Sequence, residues 1–292
     1  MANLRAIRKR IGSVKSTQQI TKAMKMVSAA KLKRAQDAIV AARPYARQMR
    51  EVVQSVAGRA GQEAHPLLAP RETKKVALLV VTSDRGLCGG FNSNLLRAAN
   101  RFLRENEGKV EEVVLFAVGR KARDFFRRRH VPMRKEYMNV LGTLSYAHAK
   151  QIADDLVGGF LAEDFDEVVI AFNEFRSAIS QAVRMDRLFP VIFEQAGEDG
   201  KPSDVDVDYL YEPSREEILA TLLPKYVEVQ IFRMLLESVA GEHGARMTAM
   251  DSATSNAVDM ISRLTLQMNR ARQAAITKEL MEIIGGAEAL KG

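Results

Sequence analysis

Residues 76–92 read VALLVVTSDRGLCGGFN, and this stretch decides the fold. Val76 to Thr82 is an apolar run rich in β-branched residues, the composition of a buried strand. Ser83 to Gly90 is a glycine-rich turn, and a helix is predicted over residues 92–106. A strand handed to a helix through glycines opens an α/β layer with mainly parallel strands. The chain downstream keeps the alternation. Strands are predicted at 110–118 and 165–172, and helices at 120–129 and 146–163, with a turn at Gly119. Residues 177–193 and 205–211 read as further strands around a polar hairpin at 197–204.

N-terminal to this layer, residues 1–58 read as one helix. Leu4, Ile7, Ile11, Val14, Gln18 and Thr21 are spaced three and four apart. A shifted stripe of Ile20, Met24 and Val27 follows, then Leu32, Ala35, Ile39 and Ala42. This is heptad-like spacing with basic side chains on the other faces. Forty such residues make a rod of about 60 Å. Pro44 is predicted to kink or interrupt it. Residues 59–75 carry Gly61, Pro66 and Pro70 and read as a linker.

On the other side, residues 213–292 read as a second long helix. Pro213 and Ser214 start it, and Glu216 and Glu217 sit where the helix dipole favours acids. Ile261, Leu264, Met268, Ala271 and Ala275 repeat the three-four spacing. Pro224, Gly241 and Gly244 are weak points, and Gly285 with Gly286 is predicted to stop the helix. Two helices this long argue for a coiled coil. The expected fold is α/β plus long coiled coil: antiparallel N- and C-terminal helices flanking a Rossmann-like, mainly parallel α/β domain at residues 76–212.

Composition narrows the function. Of 292 residues 47% are hydrophobic and 27% charged, which excludes a disordered chain. No apolar run is long enough to span a membrane, and no h-region follows the basic N-terminus. A single cysteine, Cys88, excludes an intrachain disulfide. The net charge of +8 is unevenly placed: residues 1–60 hold 14 Lys and Arg against Asp37 and Glu51. That asymmetry points to an acidic partner.

The loop after the first strand is spaced GxxGG, not GxGxxG, and no Gly-Lys-Ser/Thr follows it. It therefore reads as a structural turn that presents Asp84 and Arg85 to a partner. His65, His130, His148 and His243 are scattered, so no metal site is expected. Cys88 has no adjacent base and reads as a buried or loop thiol. Asp154, Asp155, Asp164 and Asp166 read as solvated surface. The Arg127–Arg128–Arg129 run lacks interleaved stacking aromatics, since Phe125 and Phe126 should face the core. Duplex nucleic acid stays open as a partner of the basic helix, because backbone contacts need only Lys and Arg. No catalytic, cofactor-binding or metal residue is assigned.

Three segments together carry a resemblance. Residues 11–30 (IGSVKSTQQITKAMKMVSAA), 83–92 (SDRGLCGGFN) and 269–287 (NRARQAAITKELMEIIGGA) resemble the gamma subunit of the rotary proton-translocating ATP synthase, in order and over essentially the whole chain. The resemblance implies a central rotor shaft that couples proton flow to ATP synthesis or hydrolysis, and a non-catalytic subunit. The implied partners are the alpha and beta subunits of the catalytic ring, the epsilon subunit and the c-ring; no cofactor, nucleic acid or small-molecule substrate is implied. By the same resemblance Lys31, Arg34, Arg85, Arg97, Arg272 and Gln273 contact the beta subunit. Met24 is a coupling position, and Tyr211 and Glu212 belong to the foot near the c-ring. Chloroplast-type relatives carry an inserted cysteine pair, which is lacking here. That lack, with no transit peptide before Met1, implies a bacterial type, held at the cytoplasmic face of the cell membrane.

Overall fold

The computed structural model describes residues 4–60, 64–192 and 214–289. The strand expected at 205–211, its hairpin, and Tyr211, Glu212 and Pro213 lie outside the described residues. The chain divides into two compact units, residues 29–246 and residues 1–28 with 247–292.

The larger unit is built on five strands. They are β1 (Lys75–Val81), β2 (Glu112–Val118), β3 (Met133–Tyr137), β4 (Glu167–Phe175) and β5 (Gln181–Phe189), in the order β3-β2-β1-β4-β5. The first four run parallel and β5 is antiparallel to β4. Helices α2 (Phe91–Asn106), α3 (Arg120–Arg127) and α4 (Tyr146–Leu161) alternate with the strands. The strand period of two sorts the core. Val76, Leu78 and Val80 face Leu95, Ala99 and Phe126 of α2 and α3. Ala77, Leu79 and Phe116 point the other way, where Phe116 meets Phe165 edge-on at 6.0 Å. Each fully buried Leu or Phe contributes about 1.5–3 kcal/mol.

The sequence reading missed β3, which is Met-Arg-Lys-Glu-Tyr. Its charges suit an edge strand, whose outer side is solvated. Asp155 of α4 fastens it: Lys135 Nζ donates to both carboxylate oxygens at 2.6 Å and Tyr137 Oη to one at 2.7 Å. Asp155 is thus a tie, not free surface. Asp166 likewise accepts from the backbone N–H groups of Lys74 and Lys75 at the start of β1. Asp164 pairs with Arg134. Helix α3 ends at Arg127, two residues before the expected end. The segment before β1 is anchored by the buried Leu67 and Leu68.

Two long helices bound the chain, α1 (Leu4–Ala60) and α5 (Arg215–Ala289). Helix α1 passes through Pro44 without interruption. The carbonyl that Pro44 leaves without an N–H is that of Val40, an exposed residue where water can replace the lost bond. Helix α5 runs through Gly285 and Gly286 as well. Glycine costs a helix about 1 kcal/mol but ends it only where the chain turns left-handed.

The smaller unit pairs the chain ends. Thr21 Oγ1 lies 2.7 Å from Thr254 Oγ1, and Lys25 Nζ 2.6 Å from Asp251. Ascending numbers on α1 meet descending ones on α5, so the helices are antiparallel. In the smaller unit Thr21 and Ser28 of α1 are buried, and in the larger unit Leu32 and Ala35 are. The expected shift to Ile20 and Val27 does not occur, and each is 56% exposed. A polar seam residue is tolerated because a partner hydroxyl satisfies it. On α5 the expected stripe holds: Leu264 is buried, and Ile261, Met268, Ala271 and Ala275 are half-buried.

Candidate functional site

The sheet order reverses between β1 and β4, and open α/β sheets bind ligands outside the strand ends at such a point. Here the loop from Ser83 to Gly90 occupies that end. Its polar groups bond to one another. Ser83 N donates to Asn92 Oδ1 at 3.0 Å, Asn92 Nδ2 to Ser83 Oγ at 2.8 Å, and Ser83 Oγ to the Arg85 carbonyl at 2.6 Å. Cys88 is buried beside Asn92, whose Nδ2 reaches its Sγ at 3.2 Å. Burial pushes the Cys88 thiol up, away from the reactive thiolate. Asp84 does not reach out to a partner: its Oδ1 accepts from the backbone N–H groups of Arg120 and Asn139, both at 3.1 Å.

Helix α5 closes the crevice. Val227 to Arg246 has no exposed residue, as expected of a helix surrounded by protein. Its two glycines permit close approach. A Cβ on Gly241 would stand 3.3 Å from the Phe91 ring, and one on Gly244 3.1 Å from the Ala178 carbonyl oxygen. Two residues on, Arg246 reaches the loop. Its Nη2 and Nε donate to the Gly86 carbonyl at 3.2 and 3.4 Å, Nη2 also bonds Glu242, and Nη1 lies 3.3 Å from His243 Nδ1. The space a dinucleotide would take is filled by this helix.

Glu242, His243 and Arg246 were not singled out from sequence as a group. The available signal was a charged Glu-His-x-x-Arg run inside an otherwise apolar helical stretch. Burial raises the Glu242 pKa, opposed by Arg246 and, more weakly, by Lys31. Burial lowers that of His243 to about 4, with Arg246 and Lys31 adding to it. Lys31 of α1 therefore bears electrostatically on the same cluster that binds the Arg85 loop.

The sequence-predicted contact residues divide between the units. Lys31, Arg34, Arg85 and Arg97 are exposed in the larger one. Lys31 and Arg34 flank the buried Leu32 and Ala35, so they leave the seam on its solvent side. Arg85 stands at the loop's exposed face, and Arg97 rests on the Ser93 carbonyl and Asn94 of its own helix. Arg272 and Gln273 are exposed on α5 in the smaller unit, between the half-buried Ala271 and Ala275. Met24 is half-buried there, beside the Lys25–Asp251 pair. The structure thus gathers Lys31 and Arg85 around one cluster and leaves Arg97 apart on α2. A separate cleft of about 440 Å³ gathers Arg43, Arg47, Arg50 and Arg233 with Glu174 and Glu237. Part of its charge is balanced internally, through Arg47–Glu51 and Arg233–Glu237.

Among the described residues no group of three or more His, Cys, Asp or Glu could hold a metal ion. No helix among them is long and apolar enough to cross a membrane.

A family model described as ATP synthase matches residues 3–290. The protein named ATP synthase gamma chain from Geobacter sp. (strain M21) is 56% identical over 292 residues, covering all of both chains. Its namesake from Trichlorobacter lovleyi is 55% identical over 295 residues, again covering all of both. Among solved structures, a chain of the central stalk and c-ring of Tetrahymena thermophila mitochondrial ATP synthase matches with a TM-score of 0.62 at 25% identity, over 80% of this chain and 99% of that one. A chain of the Euglena gracilis mitochondrial ATP synthase, in rotational state 3, matches with a TM-score of 0.71 over 98% of this chain and 94% of that one. At 20% identity that second likeness speaks for the fold alone.

Proposed function

Because the chain belongs to the ATP synthase family, as one of its gamma chains, we propose that it works as the rotating shaft that couples proton flow to the catalytic cycle. It is a central-stalk subunit and not the catalytic one. The observation that carries the coupling reading is the antiparallel pairing of the chain ends, Thr21 with Thr254 and Lys25 with Asp251. Residues 1–58 and 213–292 are in this reading the two strands of the shaft, 76–212 the body, and 59–75 the link between shaft and body. The shaft stands within the ring of alpha and beta subunits, and epsilon and the c-ring complete the rotor.

Lys31, Arg34, Arg85 and Arg97 are proposed to meet acidic loops of the beta subunits as the shaft turns. Exposed cations suit this role, since contacts screened by water form and break cheaply. Arg272 and Gln273 are proposed to hydrogen-bond the beta subunit nearer the end of α5, and small Ala271, Ala274 and Ala275 leave that surface smooth. Met24 is the proposed coupling position between the helices. Tyr211 and Glu212 form the proposed foot on the c-ring. The membrane is reached through these partners, at the cytoplasmic face of a bacterial cell membrane.

The test is reconstitution. Added to alpha and beta subunits lacking their own gamma chain, this protein should assemble at one copy per three alpha–beta pairs. With the membrane sector it should restore proton-driven ATP synthesis. Assembly that fails, or that restores hydrolysis with no dependence on the proton gradient, would contradict the reading.

A further inference from the structure

A buried polar triad lies on α5 in the larger unit. Glu242, His243 and Arg246 are 6%, 8% and 8% exposed. All three guanidinium nitrogens of Arg246 are engaged, by Glu242, by His243 Nδ1 and twice by the Gly86 carbonyl. Because an arginine only donates, His243 must present Nδ1 as an acceptor and is neutral, with its proton on Nε2. The planar fork is what lets one side chain serve the helix and the loop together.

Its place is informative. Gly86 follows Arg85 directly, and the Arg85 carbonyl holds Ser83 Oγ. Asp84 ties the loop to the backbone of Arg120 and Asn139, and the Gly86 carbonyl ties it to α5. Lys31 of α1 acts electrostatically on Glu242 and His243, and Asp84 of the loop acts on Glu242.

We propose that the buried Glu242–Arg246 pair is a clamp that fixes the Ser83–Gly90 loop on α5, so that Arg246 is the positioning residue for the exposed Arg85. A helix that turns then carries the Arg85 guanidinium round with it at fixed register. The functional half of this inference rests on the proposed contact of Arg85 with the beta subunit; the clamp itself does not.

Cys88 supplies a built-in reporter. It is the chain's single cysteine, buried in the clamped loop. In the assembled complex, maleimide alkylation of Cys88 is followed by mass spectrometry for wild type, Arg246→Lys and Glu242→Gln. Lysine keeps the charge and loses the fork, so Arg246→Lys should be alkylated about tenfold faster, through local opening of the loop. Glu242→Gln should fall between it and wild type. Arg187→Ala removes the Arg187–Glu167 ion pair, which lies by the start of β1, at the end opposite the loop, and should leave the Cys88 rate unchanged. Wild-type rates in both clamp variants, or an equal rise in Arg187→Ala, would overturn the clamp.

Coupling is then read as protons pumped per ATP hydrolysed. Arg85→Ala and Arg246→Lys should each lower it, and the double variant should be no worse than Arg85→Ala alone. A double variant that loses the product of both factors would overturn positioning through the loop. Wild-type coupling in Arg85→Ala, with fast alkylation in Arg246→Lys, would remove the Arg85 contact and leave the clamp standing.

Discussion

At the scale of single residues, the buried triad on α5 sets both stability and its dependence on pH. Removing Arg246 leaves the Glu242 carboxylate buried without its partner, a change that costs about 3–5 kcal/mol. Arg246→Ala should therefore lower the thermal midpoint of the chain sharply, and the double variant Arg246→Met/Glu242→Leu should recover most of that loss. A double variant as unstable as the single one would show that the ion pair is not the cause. His243 gives a pH signature. The unfolded chain binds a proton near pH 6.5, but the folded one holds His243 neutral to about pH 4. Stability is present above 6.5 and is lost as pH falls through that window, by up to about 3 kcal/mol. Glu242 shifts the opposite way, so the clean comparison is His243→Gln against wild type. Its midpoint should decline less between pH 6.5 and 4; a parallel decline would remove the assignment. Neither effect was legible in the sequence. An isolated histidine and a Glu-x-x-x-Arg spacing look the same on a solvated helix as on a buried one. What makes them matter here is the protein packed around α5.

At the scale of elements, neighbouring glycines of α4 should respond oppositely to the same change. A Cβ on Gly158 meets nothing within 4 Å, whereas one on Gly159 would sit 2.6 Å from the buried Phe165 ring. Gly158→Ala should stabilise the chain by about 0.5–1 kcal/mol, through reduced freedom of the unfolded state. Gly159→Ala should cost about 1–3 kcal/mol, because Phe165 is pinned edge-on against Phe116 and cannot retreat freely. Denaturant melts of the two variants check this, and a matching sign for both would refute it. The elements themselves were largely readable in advance. The apolar run at the start of the sheet, the glycine turn and the three-four spacing of the long helices are local signals, and each produced its element. Failures came where a long-range partner overrode the local signal. β3 is charged along its length and is a strand only because β2 and Asp155 hold it there. The α1 seam keeps Thr21 inside because Thr254 meets it. Asp84 looked like a displayed acid and instead closes a turn.

At the scale of the whole molecule, the chain is made to be covered. Ile276, Leu280, Met281, Ile283 and Ile284 of α5 are each more than half exposed. An apolar row of this kind is rare on a protein that stays alone. The isolated chain should therefore self-associate in light scattering, and association should vanish once alpha and beta subunits are added. The nucleotide-fold body should bind neither NAD nor ATP in calorimetry, since α5 fills the crevice at the strand ends; measurable heat with either would contradict that filling. The architecture was legible from periodicity, but the motion was not, because heptad spacing is the same in a static coiled coil and a turning one. Family membership supplies that step. It is tested most directly by fixing the complex to a surface through its beta subunits and following a bead attached to this chain while ATP is hydrolysed. A rotating shaft turns the bead continuously in one direction; a bead that stays still during full-rate hydrolysis rules such a shaft out.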